Sequence, residues 1–98
     1  MYGTIVRMRL KPGAHERITE MAREYATLNI PGYRGEYVYR LDGHSNEYVM
    51  AVVFDSKADY QANAESPAQH QRFLAMRALL ESDPEWSDGE IVQHSMRP

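Results

Sequence analysis

Between Tyr2 and Leu10 the side chains alternate, with Tyr2, Thr4, Val6, Met8 and Leu10 on one side and Gly3, Ile5, Arg7 and Arg9 on the other. A period of two divides these sets between opposite faces of an extended segment, so a strand is predicted over about residues 2–10. Lys11-Pro12-Gly13 breaks it. Ala14, Ile18, Met21, Ala22, Tyr25 and Leu28 then recur at helical spacing, while Glu16, Arg17, Glu20, Arg23 and Glu24 fall opposite, which predicts an amphipathic helix over about 14–28. Pro31-Gly32 stops that helix. A second strand follows over about 33–41, with Tyr33, Gly35, Tyr37, Tyr39 and Leu41 assigned to one face and Arg34, Glu36, Val38 and Arg40 to the other.

Asp42-Gly43-His44-Ser45-Asn46 carries turn residues, and a third strand over about 47–54 completes an antiparallel hairpin. The apolar run Val49 to Phe54 points to burial on both faces. Ser56 is placed to cap a short helix over about 57–65. Ser66-Pro67 is a fresh cap with proline at the first helical position, opening a further helix over about 67–82 that Asp83-Pro84 ends. Trp86 is assigned to a connecting loop, and weak alternation from Gly89 to Met96 predicts the last strand over about 89–96. The order strand, helix, two strands, helix, strand is that of a ferredoxin-like β-α-β-β-α-β sandwich, an α+β fold whose sheet covers its helices with one face. The other face would expose large apolar side chains, a patch that marks an interface, so pairing with a second copy is expected.

Composition narrows the chemistry. The chain has 98 residues, 43% hydrophobic and 26% charged, the size of one domain. A chain this short buries only about 60–70% of the surface it exposes when unfolded, which favours a partner subunit. The apolar run ending at Phe54 is far shorter than the ~20 residues of a membrane-spanning helix, and the N-terminus lacks a secretory signal, so a cytoplasmic protein with no membrane partner is expected. Cysteine is absent, which excludes disulfides, thiolate nucleophiles and cysteine-ligated metal. A formal charge of −3 with scattered basic residues speaks against nucleic acid. There is no His-x-His, His-Glu-x-x-His or carboxylate cluster to hold a metal, and no serine in a nucleophile elbow.

From Phe54 to Pro67, followed by His70 and Phe73, the chain resembles the antibiotic-biosynthesis monooxygenase family, also called the dimeric α+β barrel family. Members of that family have a strand ending in an aromatic residue, a short capped helix with an aromatic near its middle, then Ser-Pro, a His and a Phe. Phe54, Ser56, Tyr60, Ser66, Pro67, His70 and Phe73 fill those places, and Lys11-Pro12-Gly13 and Pro31-Gly32-Tyr33 fit as well, so the resemblance covers nearly the whole chain. It implies a homodimer joined through the sheet face. The family is functionally mixed and includes quinol and anthrone oxygenases and haem degraders. Haem-degrading relatives carry an asparagine on the first strand, a tryptophan on the short helix and a histidine ligand on the next helix. Val6, Asn63 and Arg72 stand at those positions here, which disfavours haem.

The resemblance therefore implies a monooxygenase without cofactor that oxidises an aromatic quinol- or anthrone-like small molecule. Such a substrate, once deprotonated, passes an electron to dioxygen itself. The protein has to supply a dry pocket, a proton acceptor and a donor for the oxyanion. Asn63 is the candidate donor, and capping the turn before Ser66-Pro67 is its alternative role. His70 is the candidate proton acceptor or else a structural residue at the helix start. Val6, Met8, Tyr25, Tyr37 and Tyr60 are expected to line the pocket, although core packing also accounts for the tyrosines. Arg72 points either inward to an anionic oxygen or to solvent. His15, His44 and His94 are assigned to surface, turn and tail. Arg7 and Arg9 are expected to face the dimer interior and pair with Glu36 or Glu47. A non-catalytic dimeric small-molecule-binding protein of the same fold is the alternative reading.

Overall fold

The computed structural model describes residues 1–43 and 46–98. His44 and Ser45, at the centre of the predicted hairpin turn, lie outside the described residues. The elements run β1 (Tyr2–Arg9), α1 (His15–Ala26), β2 (Tyr33–Arg40), β3 (Glu47–Phe54), α2 (Lys57–Ala64), α3 (Pro67–Arg77) and β4 (Glu85–Glu90). The four strands form one sheet in the order β2-β3-β1-β4, all neighbours antiparallel. This is the ferredoxin-like α+β fold.

Register assigns the faces, because residues directly opposite each other in an antiparallel pair share a side. Val6 pairs with Met50, and Thr4 with Val52. Val52 in turn pairs with Glu36. These residues face the helices. Val6, Met8, Leu10, Ala14, Ile18, Tyr48 and Leu80 form the buried core there. Lys11 N–H donates to the Leu79 carbonyl at 2.9 Å and Glu81 N–H to the Arg9 carbonyl at 2.9 Å. With the bridge between Leu10 and Leu80, these bonds fasten the segment after α3 to the end of β1.

Both short helices start as their caps dictate. Ser56 Oγ accepts the Asp59 N–H at 3.1 Å, and Ser66 Oγ accepts the Gln69 N–H at 3.0 Å with Pro67 in the first turn. The N–H of Ser66 still bonds to the Asn63 carbonyl at 3.0 Å, so α3 leaves almost directly from the end of α2.

Two assignments along the chain are corrected. The last strand is Glu85–Glu90 rather than 89–96, and Trp86 lies within it, paired with Val6. Beyond it, Ile91 N–H donates to the Met1 carbonyl and the remaining tail is irregular. Tyr37 donates to Met96 Sδ at 3.6 Å. Since β4 and β2 are opposite edges of the sheet, the tail crosses the face turned away from the helices.

The second correction concerns β2. A bulge between Tyr33 and Gly35 places one extra residue, Arg34, against the β3 register, and Gly35 takes φ 154°, a region that favours glycine. Alternation therefore fails at this point. Tyr33 turns to the helix face together with Glu36 and Val38, while Tyr37 and Tyr39 face away and are each 53% exposed. Ile5, 56% exposed, shares that outer face. Glu36 is consequently not a partner for Arg7 or Arg9. Arg9 pairs instead with Glu47 at 2.7 Å, across neighbouring strands of its own sheet.

Candidate functional site

At the Tyr2 end of the sheet, α1 and α2 stand apart over the strands and leave a cavity of about 600 Å³, within the range of small-molecule sites. Thr4, Met50, Val52 and Phe54 line it from the sheet. Met21 and Tyr25 come from α1, Tyr60 and Asn63 from α2, and Phe73 and Met76 from α3. The wall is mostly apolar and aromatic. Edge-to-face contacts link Tyr25 to Tyr33 at 5.0 Å, Tyr33 to Phe54 at 5.7 Å and Phe54 to Tyr60 at 5.6 Å between ring centroids. Phe73 and Trp86 approach at 6.3 Å.

Polar groups gather in one part of the lining. Asn63 Nδ2 donates to the Tyr25 hydroxyl at 3.0 Å. The Arg72 guanidinium lies over the Tyr25 ring at 5.5 Å and is held by Nε donating to Gln69 Oε1 at 2.9 Å. Burial pushes the pKa of Tyr25 up, and the Asn63 bond and the Arg72 charge pull it back. Tyr33 donates to Glu36 Oε1 at 2.9 Å. Burial holds the Glu36 carboxyl above its ordinary range, and the Tyr33 hydrogen bond opposes that rise.

On the far side of the cavity Tyr60 donates to Asp88 Oδ1 at 2.9 Å. Burial and then this carboxylate acceptor push the phenol up to about 12. The buried Thr4 hydroxyl completes no hydrogen bond within the described residues.

Of the residues singled out in the sequence, Tyr25, Tyr60, Asn63, His70 and Arg72 come together around this cavity. His70 is exposed at its edge. Val6 and Met8 do not reach it; at 0% and 2% exposure they belong to the packed core beside it. Tyr37 is on the opposite face of the sheet. Glu36 was missed, because uninterrupted alternation along β2 sends it outward, and Trp86 was missed because its strand was placed too late. The Arg34-Gly35 pair ahead of Glu36 was the available signal, since glycine inside a strand often marks a bulge. Among the described residues no group of three or more His, Cys, Asp or Glu side chains is placed to hold a metal ion. No helix there is long and apolar enough to cross a membrane.

Fold and cavity together define a ferredoxin-like α+β protein with ligand-sized space between sheet and helices. No curated protein matches the chain in sequence. The chain belongs to the antibiotic biosynthesis monooxygenase family, whose model matches residues 1–75, from β1 through most of α3.

Solved structures share the fold at low identity. SnoaB, a cofactor-independent oxygenase from Streptomyces nogalater, is 20% identical with a TM-score of 0.77, covering 95% of this chain and 94% of its own. A Mycobacterium tuberculosis protein is 15% identical with a TM-score of 0.75, covering 97% and 98%. A Nitrosomonas europaea protein of unknown function is 16% identical with a TM-score of 0.76, covering 99% and 94%.

Proposed function

We propose that the chain is a cofactor-independent oxygenase that oxidises a flat aromatic substrate of the quinol or anthrone kind with dioxygen. The observation that carries this reading is the Asn63–Tyr25–Arg72 cluster set in an otherwise apolar, aromatic wall. Fused rings stack against Tyr25, Phe54 and Tyr60. An amide has two N–H groups, so the bond to Tyr25 leaves one to donate to a substrate oxygen as it turns anionic, and Arg72 adds positive charge on the same side.

The stoichiometry needs no outside electrons. A ring CH2 of an anthrone becomes C=O, one atom of dioxygen stays in the product, and the other leaves as water with the two hydrogens. His70 stands at the cavity edge, where solvent reaches it.

Membership of a family whose fold is generally dimeric supports a homodimer, and so does the outer face with Ile5, Tyr37 and Tyr39 exposed. In this reading a second copy covers that face and the tail that crosses it. Light scattering at micromolar concentration is expected to show a dimer, and Val53→Lys, on the same face, is expected to split or unfold it because the charge has no partner there. A wild-type monomer would remove this part of the proposal.

The enzymatic part is tested by oxygen uptake with metal-free, flavin-free protein offered anthrones, hydroquinones and dihydroxynaphthalenes. Uptake above autoxidation is expected. Asn63→Ala is expected to lower turnover by about 10²–10³, the usual effect of removing one oxyanion donor. Tight binding of the same compounds without uptake would favour the binding-protein alternative.

A further inference from the structure

We propose that Glu36 is the base that takes the proton from the bound aromatic substrate. The inference rests on the oxygenase reading and names the group which that chemistry needs. Glu36 lines the cavity from β2, on the same face as Val38 and opposite Val52. One carboxylate oxygen, Oε1, is held by the Tyr33 hydroxyl at 2.9 Å, and Tyr33 is itself wedged edge-on between Tyr25 and Phe54. That clamp fixes the carboxylate and leaves Oε2 to meet a ligand.

The other candidates are worse placed. His70 and Glu24 touch the cavity but are exposed, and Asp88 is engaged by Tyr60 at the sheet edge. The other titratable and charged groups lining the cavity with Glu36 are Tyr25 and Glu24 of α1, Tyr60 of α2, and His70 and Arg72 of α3, and Tyr33 on its own strand is its hydrogen-bond partner. Half-burial makes Glu36 a stronger base than a surface carboxylate, the direction a general base working near neutrality requires.

In the step proposed, Oε2 accepts the hydroxyl proton of the substrate. The O–H bond breaks, its electron pair stays on oxygen as a phenolate facing the Asn63 amide and Arg72, and the carboxylate becomes a neutral carboxyl. With an anthrone the proton taken is one from the ring CH2: the C–H bond breaks and its electron pair delocalises onto the carbonyl oxygen as an enolate, and the phenolate or enolate is then the electron donor to dioxygen.

Glu36→Gln keeps the shape and an acceptor for Tyr33 but cannot take the proton. With 1,4-dihydroxynaphthalene, kcat is expected to fall by about 10²–10⁴, and much of the loss is expected to vanish with a hydroquinone acidic enough to be ionised at the assay pH. Tyr33→Phe removes the donor that stabilises the carboxylate, so the acidic limb of kcat/KM is expected to move to higher pH, a shift that a purely structural tyrosine would not cause. Wild-type turnover in Glu36→Gln, or an equal loss with both substrates, overturns the proposal.

If the wild-type protein takes up no oxygen with any substrate, the oxygenase reading fails, and anaerobic binding still tests where Glu36 points. Wild type is expected to bind 1-naphthol about 10-fold more tightly than 1-methoxynaphthalene, a preference lost in Glu36→Leu, in line with a hydrogen bond to a charged acceptor. Equal binding of the two compounds by wild type overturns the assignment.

Discussion

Strands β1 and β3 build two unlike regions on one face of the sheet. Toward Arg9, the side chains of Val6, Met8, Leu10 and Tyr48 join Ile18 and Leu80 in one buried cluster. Toward Tyr2, the same strands offer Thr4, Val52 and Phe54, and the facing helices hold off to leave about 600 Å³. What separates the regions is the connections above them. At the packed end Leu10–Leu80 and the Lys11 and Glu81 hydrogen bonds draw the chain down onto the sheet. At the open end the break at Ser66-Pro67 divides the helical cover into two short pieces. A packed core and a ligand-sized space thus occupy neighbouring stretches of the same strands.

The contrast is broken most strongly from the packed end. Met8→Ala is expected to lose about 2–5 kcal/mol in urea unfolding, because a filled region cannot close over the void. Oxygen uptake per folded molecule should change little. Leucine at two alanines, Ala14 at the N-cap of α1 and Ala22 within it, is a finer probe. Ala14→Leu, at a site 8% exposed in the core, is expected to destabilise by about 1–3 kcal/mol through overpacking. Ala22→Leu projects into existing space, so it should leave the unfolding midpoint nearly unchanged while weakening the affinity for a large aromatic ligand, measured by fluorescence titration.

The smallest effect is electrostatic. Burial raises the pKa of Glu36 above its reference value of 4.5, so the folded chain holds that proton more tightly than the unfolded one. The resulting stability is fully present below about 4.5 and lost as pH rises through the folded value. Wild type is therefore expected to lose stability relative to Glu36→Gln as pH climbs from about 4 toward neutrality, a trend read from urea midpoints at each pH. A constant difference between the two would place Glu36 in a solvent-like setting.

Much of the fold was legible because local and global signals agree. Period-two alternation in Tyr2–Leu10, the paired serine caps and Pro67 each point to the element that forms. The last strand was not legible. Glu85–Glu90 reads Glu-Trp-Ser-Asp-Gly-Glu, with no alternation, because it is an edge strand whose side chains are all exposed and whose place is set by backbone pairing to β1. Alternation further on, around Ile91 and Val92, lies in the tail. Within the candidate site, Asn63, Tyr60, Tyr25, His70 and Arg72 were within reach because helical spacing and the family pattern bring them to one side. Val6 and Met8 were assigned to the right face and the wrong end of it, since periodicity fixes facing but says nothing of where along a strand the helices separate. Glu36 and Tyr37 were exchanged by a single unpaired residue.

That residue, Arg34, also bears on how the chain should be compared with others. Removing it would restore regular pairing without turning Tyr33 or Glu36 around, because Tyr33 already pairs with Phe54 and Gly35 with Val53. A homologue one residue shorter here can therefore present the same two faces. A gap belongs inside the strand at position 34 rather than in the Pro31-Gly32 turn. Aligned any other way, the positions just ahead of Gly35 would be matched to residues from the wrong side of the sheet.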